Sequence, residues 1–340
     1  MFTSVANELI FGEERPFASC HASHLAVLPD GGVLAVWFGG SQEGADDVAI
    51  WASIRSGGRW SAPFNVADQE ELPHWNPVIH SKTSGELVLF YKVGRLIKTW
   101  QTLVKISHDG GHTWSQPSPL VEGDFGGRGP VRNKLIVLSD GAWLAPASTE
   151  DGIWQAFADR SEDEGGSWTR SGDIRIAALD YRGIKAVTGS EVPVSEQSFL
   201  GRGVIQPTLW ESEPGKVHML LRSSEERIFR SDSVDGGRSW SEAYATSLPN
   251  NNSGIDLVKL DNGILVMAMN PVGTNWGPRT PLVLTVSGDN GLTWGHELVL
   301  EDEPGEYSYP AIVAEGNQVF VTYTWKRENI KFRQFTLTFE

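Results

Sequence analysis

The sequence contains a single cysteine, Cys20, among its 340 residues. One thiol cannot form an internal disulfide, so nothing in the composition indicates an oxidising compartment. No apolar run approaches the roughly 20 residues that span a bilayer. The N-terminal stretch MFTSVANELIFGEERPF lacks the basic and apolar regions of a signal peptide. We therefore expect a cytoplasmic protein without membrane contact.

Positive charge and metal-ligand patterns are also scarce. Lys and Arg total 28 against 43 Asp and Glu, which gives a net charge of −15. A surface of this sign repels the phosphates of nucleic acids and anionic lipids, so neither is expected as a partner. No His-x-x-x-His or cysteine pair is present, and GADD lacks the ligand spacing of a calcium loop. The sequence predicts no metal and no cofactor.

One phrase, Ser-x-Asp-x-Gly-x-x-Trp, recurs along the chain. Its copies are SHDGGHTW (107–114), SEDEGGSW (161–168), SVDGGRSW (233–240), SGDNGLTW (287–294) and the divergent SIRSGGRW (53–60). The closing tryptophans recur every 54 residues, apart from one interval of 72. A second series consists of turn glycines between apolar runs: Gly31, Gly85, Gly141, Gly215, Gly263 and Gly316. Two series with a similar period indicate about six repeated units.

We call the phrase Ser-x-Asp-x-Gly-x-x-Trp an Asp box. Each unit contains a strand, a tight turn, a strand, a loop and a strand that leads into this box. Short strands with Gly-rich turns at this spacing are typical of radial repetition and not of a doubly wound sheet. The sequence therefore predicts an all-β, six-bladed β-propeller that spans 1–340 as one domain. Its C-terminal strands are expected to close with the N-terminal segment.

The Asp boxes have a structural explanation. Asp109 is expected to accept backbone N–H groups across the turn, Gly111 to supply a positive φ and Trp114 to pack on the neighbouring sheet. Catalysis or metal binding is not expected of these aspartates. Arg55 replaces the aspartate in the first copy, which predicts a weaker turn. The long interval places an insertion at 172–201, which would form a lid or wall over the pocket or a contact in a homo-oligomer.

Asp boxes on a six-bladed propeller resemble the sialidase superfamily, and the resemblance runs from about residue 17 to the end. Members of that superfamily bind a substrate carboxylate with three arginines. They use a tyrosine nucleophile paired with a glutamate, and an aspartate as acid/base. The resemblance implies an exo-glycosidase whose substrate is a glycan or a small acidic sugar.

The first two units resemble the family at several positions. CHASHLAVLPDGG places His21 where the family has its first arginine. In GGSQEGADD, Glu43 falls closest to the acid/base carboxylate, with Asp47 as a weaker candidate that could simply cap a turn. WNPVIHSKTSGELVLFYKVG resembles the Asn-Pro strand of the second blade, which directs three side chains towards the centre: Trp75, Asn76 and Lys92.

The later units supply the other positions. GVIQPTLW resembles the segment of the catalytic glutamate, but the residue is Gln206. HMLLRSSEERI matches the second arginine as Arg222, and NPVGTNWGPRTPLVL matches the third as Arg279. GEYSYPAIV resembles the nucleophile segment, which implies Tyr307, with Tyr309 as the alternative.

Two departures from the family pattern matter chemically. Gln206 cannot take a proton from a phenol, so the usual tyrosine–glutamate pair is broken. His21 lacks the bidentate fork of an arginine, although a protonated histidine still binds an anion and carries a proton.

The inner strands of a propeller converge on its axis, so their residues should line one pocket. The candidates from such segments are His21, Arg132, Asn133, Lys134, Arg222, Asn252, Asp256, Arg279 and Tyr307. Arginines gathered in an acidic chain favour an anion site. The alternative is that each arginine pairs with a neighbouring carboxylate, as RSSEER allows.

Three functions stay open at this point. The first is an exo-glycoside hydrolase in which Glu43 protonates the leaving oxygen and Tyr307 attacks or stabilises the anomeric carbon, or in which His21 or Asp256 assists a water molecule. Its sugar would be sialic acid, another keto-deoxy acid or a uronate-linked sugar. The second is a carbohydrate-binding propeller without hydrolysis, with Trp75 and Trp276 as platforms. The third is a lyase on uronate-containing glycans, with Tyr307 and His21 as acid and base.

Overall fold

The computed structural model describes residues 1–182, 184 and 201–338. Their regular structure is all β apart from one 3-10 turn at Ile97–Thr99, which confirms the all-β part of the prediction. No helix in this part of the chain is long and apolar enough to cross a membrane. Of the predicted insertion, 183 and 185–200 lie outside the described residues, so its expected role as lid or oligomer contact stays a prediction.

The strands form six antiparallel groups in chain order. The first strand of the chain, β1 (Phe2–Leu9), belongs to the sixth group. The first group contains β2 (Ser19–Val27), β3 (Val33–Gly40), β4 (Ala49–Ser56), β5 (Arg59–Trp60) and β6 (Phe64–Ala67). The second contains β7 (His74–Ser81), β8 (Leu87–Val93), β9 (Gln101–Ser107) and β10 (Ser118–Pro119). The third contains β11 (Ile136–Val137), β12 (Trp143–Asp151), β13 (Ile153–Ser161) and β14 (Thr169–Arg170).

The second half of the chain repeats the pattern. The fourth group contains β15 (Arg202–Glu213), β16 (Lys216–Ser223), β17 (Arg227–Ser233) and β18 (Tyr244–Pro249). The fifth contains β19 (Asp256–Lys259), β20 (Leu265–Met269), β21 (Leu282–Ser287) and β22 (Gly295–Glu301). The sixth contains β23 (Tyr307–Glu315), β24 (Gln318–Trp325) and β25 (Asn329–Leu337), followed by β1. A short parallel pairing of β13 with β15 joins the third and fourth groups into one sheet.

The N-terminal segment completes the sixth group. Strand β1 pairs antiparallel with β25 from Phe2 opposite Leu337 to Leu9 opposite Lys331. This pairing of the two ends of the chain agrees with the expectation from the sequence. It also brings Glu8 to Arg55 and Trp60 of the first group.

Apolar clusters lie between consecutive groups of strands. One residue pair from each cluster illustrates the order: Leu34 and Leu89, Val78 and Trp143, Leu144 and Met219, Trp210 and Met267, Val266 and Val321, and Phe332 and Trp37. The last pair joins the sixth group to the first. Each sheet is therefore covered on both faces, which explains why the second strands of the groups are almost entirely buried.

The Asp boxes cap turns, as the sequence predicts. The Asp109 carboxylate accepts the Thr113 N–H at 2.9 Å, and the Trp114 indole donates to the Gly111 carbonyl at 3.0 Å. Hydrogen bonds from Thr113 lower the pKa of Asp109 to about 2. Gly111 adopts the predicted positive φ, 92°. The first copy lacks this carboxylate, and its Arg55 instead forms an ion pair with Glu8 of β1.

A backbone irregularity recurs at the start of every group. One residue near the beginning of each first strand has a left-handed φ between 44° and 69°: Ala22, Asn76, Arg132, Gln206, Asn252 and Tyr309. Such a φ is unfavourable for residues other than glycine and persists where the surrounding structure fixes it. In four of these strands the pairing register also shifts at this residue. The normal alternation of side chains is interrupted there, and this decides which side chains reach the candidate site.

Candidate functional site

A cavity of about 250 Å³ lies where several of these irregular strand starts meet. Its wall combines aromatic and charged side chains. The residues that line it are Glu43, Trp75, Asn76, Ile97, Trp100, Glu150, Trp154, Gln206, Arg222, Trp276, Arg279, Glu306, Tyr309 and Arg327. Seven predicted site residues are brought together here: Glu43, Trp75, Asn76, Gln206, Arg222, Arg279 and Tyr309.

Arg222 is buried in the cavity wall and donates only to neutral groups. Its Nε donates to Asn252 Oδ1 at 2.8 Å, and its Nη1 donates to Gln206 Oε1 at 3.0 Å and to the Tyr309 hydroxyl. No carboxylate forms an ion pair with Arg222 in the part of the chain that the structure describes. A buried guanidinium without a counter-charge is costly, and an anionic ligand would remove that cost.

Two other arginines form an ion-pair network with two glutamates. Arg279 Nη1 donates to Glu306 Oε1 at 2.7 Å, and Arg327 Nε donates to the same oxygen at 2.8 Å. Arg327 Nη1 donates to Glu43. Burial alone would raise the pKa of Glu306, but the two arginines hold it below its ordinary value. The expected alternative, an arginine paired with its own carboxylate, therefore holds for Arg279 and fails for Arg222.

Tyr309 lies at the centre of the cationic cluster. The guanidinium carbons of three arginines lie 5.2 to 5.6 Å from its ring centroid: Arg132, Arg222 and Arg279. A phenol ring face attracts such cations, and a guanidinium that donates to the hydroxyl stabilises negative charge on that oxygen. Tyr309, the second choice from the sequence, is thus the tyrosine of the cavity.

The preferred tyrosine, Tyr307, is placed elsewhere. It is buried in the apolar cluster between the fifth and sixth groups, with Ile312 and Tyr323. Regular alternation would place 307 and 309 on the same face of β23, but the register shift between Ser308 and Ala311 separates them. The prediction that Tyr307 reaches the pocket is therefore wrong.

His21 lies behind Tyr309 and outside the cavity wall. Its ring centroid is 4.2 Å from that of Tyr309, and its Nδ1 is 2.8 Å from Thr324 Oγ1. Burial, reinforced by the charges of Arg327 and the other nearby arginines, holds the pKa of His21 well below its usual value. The expectation of a histidine that binds an anion in the pocket is wrong, because the ring lies outside the cavity wall and hydrogen-bonds to Thr324.

Two residues of the first two units have structural partners away from the cavity. The Asp47 carboxylate accepts the Ser41 N–H at 2.9 Å and caps an exposed turn. Lys92 is buried, and its ammonium donates to Thr102 at 2.6 Å and to the carbonyl of Arg128 at 2.7 Å. Burial lowers the pKa of Lys92 to about 7. Neither residue lines the site that the sequence assigned to it.

The predicted residues of the third and fifth groups form a layer beneath the cavity. Arg132 donates to the carbonyl oxygens of Ser23 and Pro310, and burial lowers its pKa to about 10. Lys134 donates to both carboxylate oxygens of Asp256 at 2.8 Å. These contacts connect different groups of strands and take no part in the wall.

Two asparagines complete this layer. Asn133 donates to the carbonyl oxygens of Gln206 and Pro207, and Asn252 accepts from Arg222. Asn252 thereby positions Arg222, whereas the sequence placed it in contact with the substrate. The predicted roles of Asn133 and Asp256 in the pocket are corrected in the same way, because both side chains are fully buried among other groups.

Sequence reasoning missed several residues of the wall. Glu150 is the penultimate residue of β12, close to a Gly turn, and resembles a turn acid. Arg327 lies in a charged hairpin and resembles a solvated side chain. Glu306 lies within the segment GEYSYPAIV, directly before Tyr307, which is the signal that could have drawn attention to it. Trp154 and Trp100 were also missed, because a tryptophan in a strand is usually a core residue.

Glu150 and Glu306, two of the three cavity carboxyls, have pKa values shifted in opposite directions. Glu150 is partly exposed to the cavity and hydrogen-bonds to the Gln206 side chain. Burial raises its pKa, and the charge of Glu43 raises it further, although Arg222 and Gln206 oppose the shift. A carboxyl in such a setting retains its proton to higher pH than a solvated one. Among the residues that the structure describes, no group of three His, Cys, Asp or Glu could hold a metal ion.

Comparisons with known sequences match most of the chain. A family model described as a BNR repeat-like domain covers residues 31–321. An exo-alpha-sialidase from Aspergillus fumigatus is 24% identical over 179 residues. That match covers 44% of this chain and 44% of the length of that protein.

Comparisons with solved structures cover nearly the whole chain. A protein of unknown function from Dyadobacter fermentans superposes with a TM-score of 0.74 at 15% identity, covering 99% of each chain. The NanB sialidase from Streptococcus pneumoniae superposes with a TM-score of 0.72 at 14% identity, covering 97% of this chain and 70% of that one. At such identity these likenesses show a shared fold.

Proposed function

The chain belongs to the BNR repeat-like family as a divergent, sialidase-like member, and from this premise we propose that it is a glycoside hydrolase that acts on a terminal acidic sugar. A buried, unneutralised arginine beside a phenol in a tryptophan-lined cavity supports this proposal most directly. The activity and the substrate are inferences from the site, since the structural relatives are below 25% identity.

We further propose that the six strand groups are the blades of a propeller around one axis. The apolar clusters follow the order of the groups along the chain and then join the sixth group to the first. Strand β2 also contacts both β7 and β23, the first strands of the groups on either side. Radial packing of this kind brings distant segments to one axial mouth.

The carboxylate of the sugar would bind at Arg222. Arg279 and Arg327 already share the charge of Glu306, whereas Arg222 has only neutral partners. An incoming carboxylate gains charge-assisted hydrogen bonds from a donor that is already positioned. The substrate class is therefore a sugar with one carboxylate: sialic acid, another keto-deoxy acid, or a uronate unit linked to the sugar.

The tryptophans would bind the sugar ring itself. Trp75, Trp100, Trp154 and Trp276 line the cavity together with Ile97. Ligand sites of this kind combine apolar walls with a few polar groups that fix orientation. The Arg222 guanidinium lies 5.8 Å from the Trp154 ring and 5.6 Å from the Trp276 ring, so the anion site and the aromatic wall adjoin each other.

The reaction needs a group near the anomeric carbon and a carboxyl that protonates the leaving oxygen. Tyr309 is proposed for the first role, because Arg222 stabilises negative charge on its oxygen. Glu43 is the proton donor that the sequence predicts, and Glu150 is the second candidate on the wall.

A carbohydrate-binding protein without hydrolysis is the second candidate function. Gln206 favours it, because an amide beside Tyr309 cannot act as the base that the family uses. The lyase hypothesis is weakened, since its two named residues, Tyr307 and His21, do not line the cavity.

A panel of chromogenic exo-glycosides of sialic acid, other keto-deoxy acids and uronate-linked sugars tests the proposal. Product mass separates the candidates: free sugar identifies a hydrolase, and an unsaturated product that absorbs in the ultraviolet identifies a lyase. Tight binding of an acidic sugar without turnover would establish the binding function and overturn the hydrolase.

A further inference from the structure

The three carboxyls of the cavity differ in their partners. Glu43 accepts from Arg327, and Glu306 accepts from Arg279 and Arg327. Glu150 forms no ion pair with an arginine or lysine among the described residues, and its side-chain contact is with the amide of Gln206. Two carboxylates of the wall are thus paired with arginines, whereas Glu150 forms no such pair, although the charge of Arg222 acts on it.

The position of Glu150 connects it to Tyr309 through two residues. Gln206 Oε1 accepts from Arg222 Nη1, which leaves its amide nitrogen to donate towards Glu150. The same Arg222 nitrogen donates to the Tyr309 hydroxyl. Gln206 therefore occupies the place where the resemblance implies a glutamate, and Glu150 supplies a carboxyl immediately next to it.

Three elements contribute side chains that act on the Glu150 carboxyl. Arg222 of β16 and Glu43 of the loop after β3 both act on it, and Gln206 of β15 hydrogen-bonds to it. Its own neighbour Asp151 lies 3.8 Å from Lys98 of the 3-10 turn, and neither of these two groups is among the causes that shift the pKa of Glu150. The net effect of burial and Glu43 outweighs Arg222, which favours the protonated carboxyl.

We propose that Glu150, and not Glu43, is the proton-transferring carboxyl of the hydrolase, an assignment that rests on the function proposed above. Glu43 then has a different part: its ion pair with Arg327 holds that guanidinium at the cavity wall, next to Glu306. A carboxylate engaged in such a pair is a poor proton donor, because protonation would break the pair.

The step balances with water as the only co-reactant. The bond between the anomeric carbon and the aglycone oxygen breaks, its electron pair stays on that oxygen, and the oxygen takes the proton from Glu150. A water molecule then bonds to the anomeric carbon through its oxygen and returns a proton to the Glu150 carboxylate. The enzyme ends in its starting form, and one water is consumed for each glycosidic bond.

The variants E150Q and E43Q, compared on two substrates of the same sugar, test the assignment. One substrate carries a nitrophenol, which leaves without much protonation, and the other carries a second sugar, which needs the proton. General acid catalysis contributes on the order of 100-fold or more. We expect E150Q to lose that factor in kcat on the sugar-linked substrate and far less on the nitrophenyl substrate. E43Q should lower kcat by similar factors on both substrates.

The pH profile gives an independent readout. A proton donor makes kcat/KM fall as the pH rises through its pKa, so the alkaline limb should disappear in E150Q and remain in E43Q. E150D serves as a second variant, which should restore part of the rate and the limb. Two results would overturn the assignment to Glu150 but leave the proposed function standing. One is wild-type turnover with an unchanged pH profile in E150Q, and the other is loss of the alkaline limb in E43Q. A wild type that turns over no acidic glycoside would instead overturn the proposed function.

Discussion

The Nη1 atom of Arg222 donates to the hydroxyl of Tyr309, which lies 87 positions further along the chain. This hydrogen bond joins the second strand of the fourth group to the first strand of the sixth. The same nitrogen also donates to Gln206, so one guanidinium fixes both the phenol and the amide. The Tyr309 phenol, the Arg222 guanidinium and the Gln206 amide thus form one hydrogen-bond network in the cavity wall.

The two tyrosines of β23 provide a matched pair of variants. Y309F removes the oxygen that Arg222 stabilises, so we expect kcat on the active glycoside to fall on the order of 100-fold or more. Y307F removes a hydroxyl from an apolar cluster outside the cavity, so its kcat should remain near that of the wild type. Steady-state kinetics of both variants checks this. A larger loss in Y307F than in Y309F would contradict the placement of the two side chains.

The anion site is tested by binding. R222Q keeps hydrogen-bonding capacity but removes the charge, and a hydrogen bond to a charged group contributes about 1.5–3 kcal/mol. We therefore expect the Kd of an acidic sugar, measured by calorimetry, to rise at least about tenfold. R238Q, at an exposed arginine paired with Glu162, is the control and should leave the Kd unchanged. An equal rise of the Kd in R222Q and R238Q would show that the net charge of the protein, and not a contact with Arg222, determines the affinity.

The sequence predicted the architecture better than the site. Turn glycines and Asp boxes are local signals, and they located the strands correctly because a turn depends on its own few residues. The choice of Tyr307 failed because a left-handed Tyr309 interrupts the alternation on which the choice depended. No short-range pattern distinguishes such a strand from a regular one.

The wall residues that the sequence did not predict were missed for a different reason. Arg327 meets Glu43 across 284 positions, and this contact exists only because the sixth group packs on the first. Glu150 and Arg327 both lie at hairpin turns, where charged side chains are ordinarily solvated. Their place in the wall depends on which loops border the cavity, and the repeat pattern does not contain that information.

The buried pair of Lys134 and Asp256 predicts a loss of stability without a direct loss of chemistry. Both oxygens of Asp256 lie 2.8 Å from the Lys134 ammonium, and one of them also accepts the Ile312 N–H at 3.0 Å. D256N leaves a largely buried ammonium without its counter-charge. We therefore expect the free energy of unfolding, measured in urea, to fall by about 3 kcal/mol. In the cold, where the variant stays folded, kcat should match the wild type. Loss of kcat in a folded D256N variant would contradict this placement and show that Asp256 acts in the reaction.

The stability that strand β1 gives to the fold through the ion pair of Glu8 with Arg55 should depend on pH. A hydrogen bond from Arg55 is the main cause that holds the pKa of Glu8 below its ordinary value. A carboxyl with a depressed folded pKa stabilises the fold above its unfolded pKa, and this contribution is lost as the pH falls through the folded pKa. The partly exposed pair contributes about 1 kcal/mol. E8Q should therefore lower the Tm at pH 7 and have little effect at pH 3, whereas E13Q, at an exposed glutamate, should lower it at neither. An equal loss in E8Q at both pH values would show that the ion pair with Arg55 does not stabilise the fold.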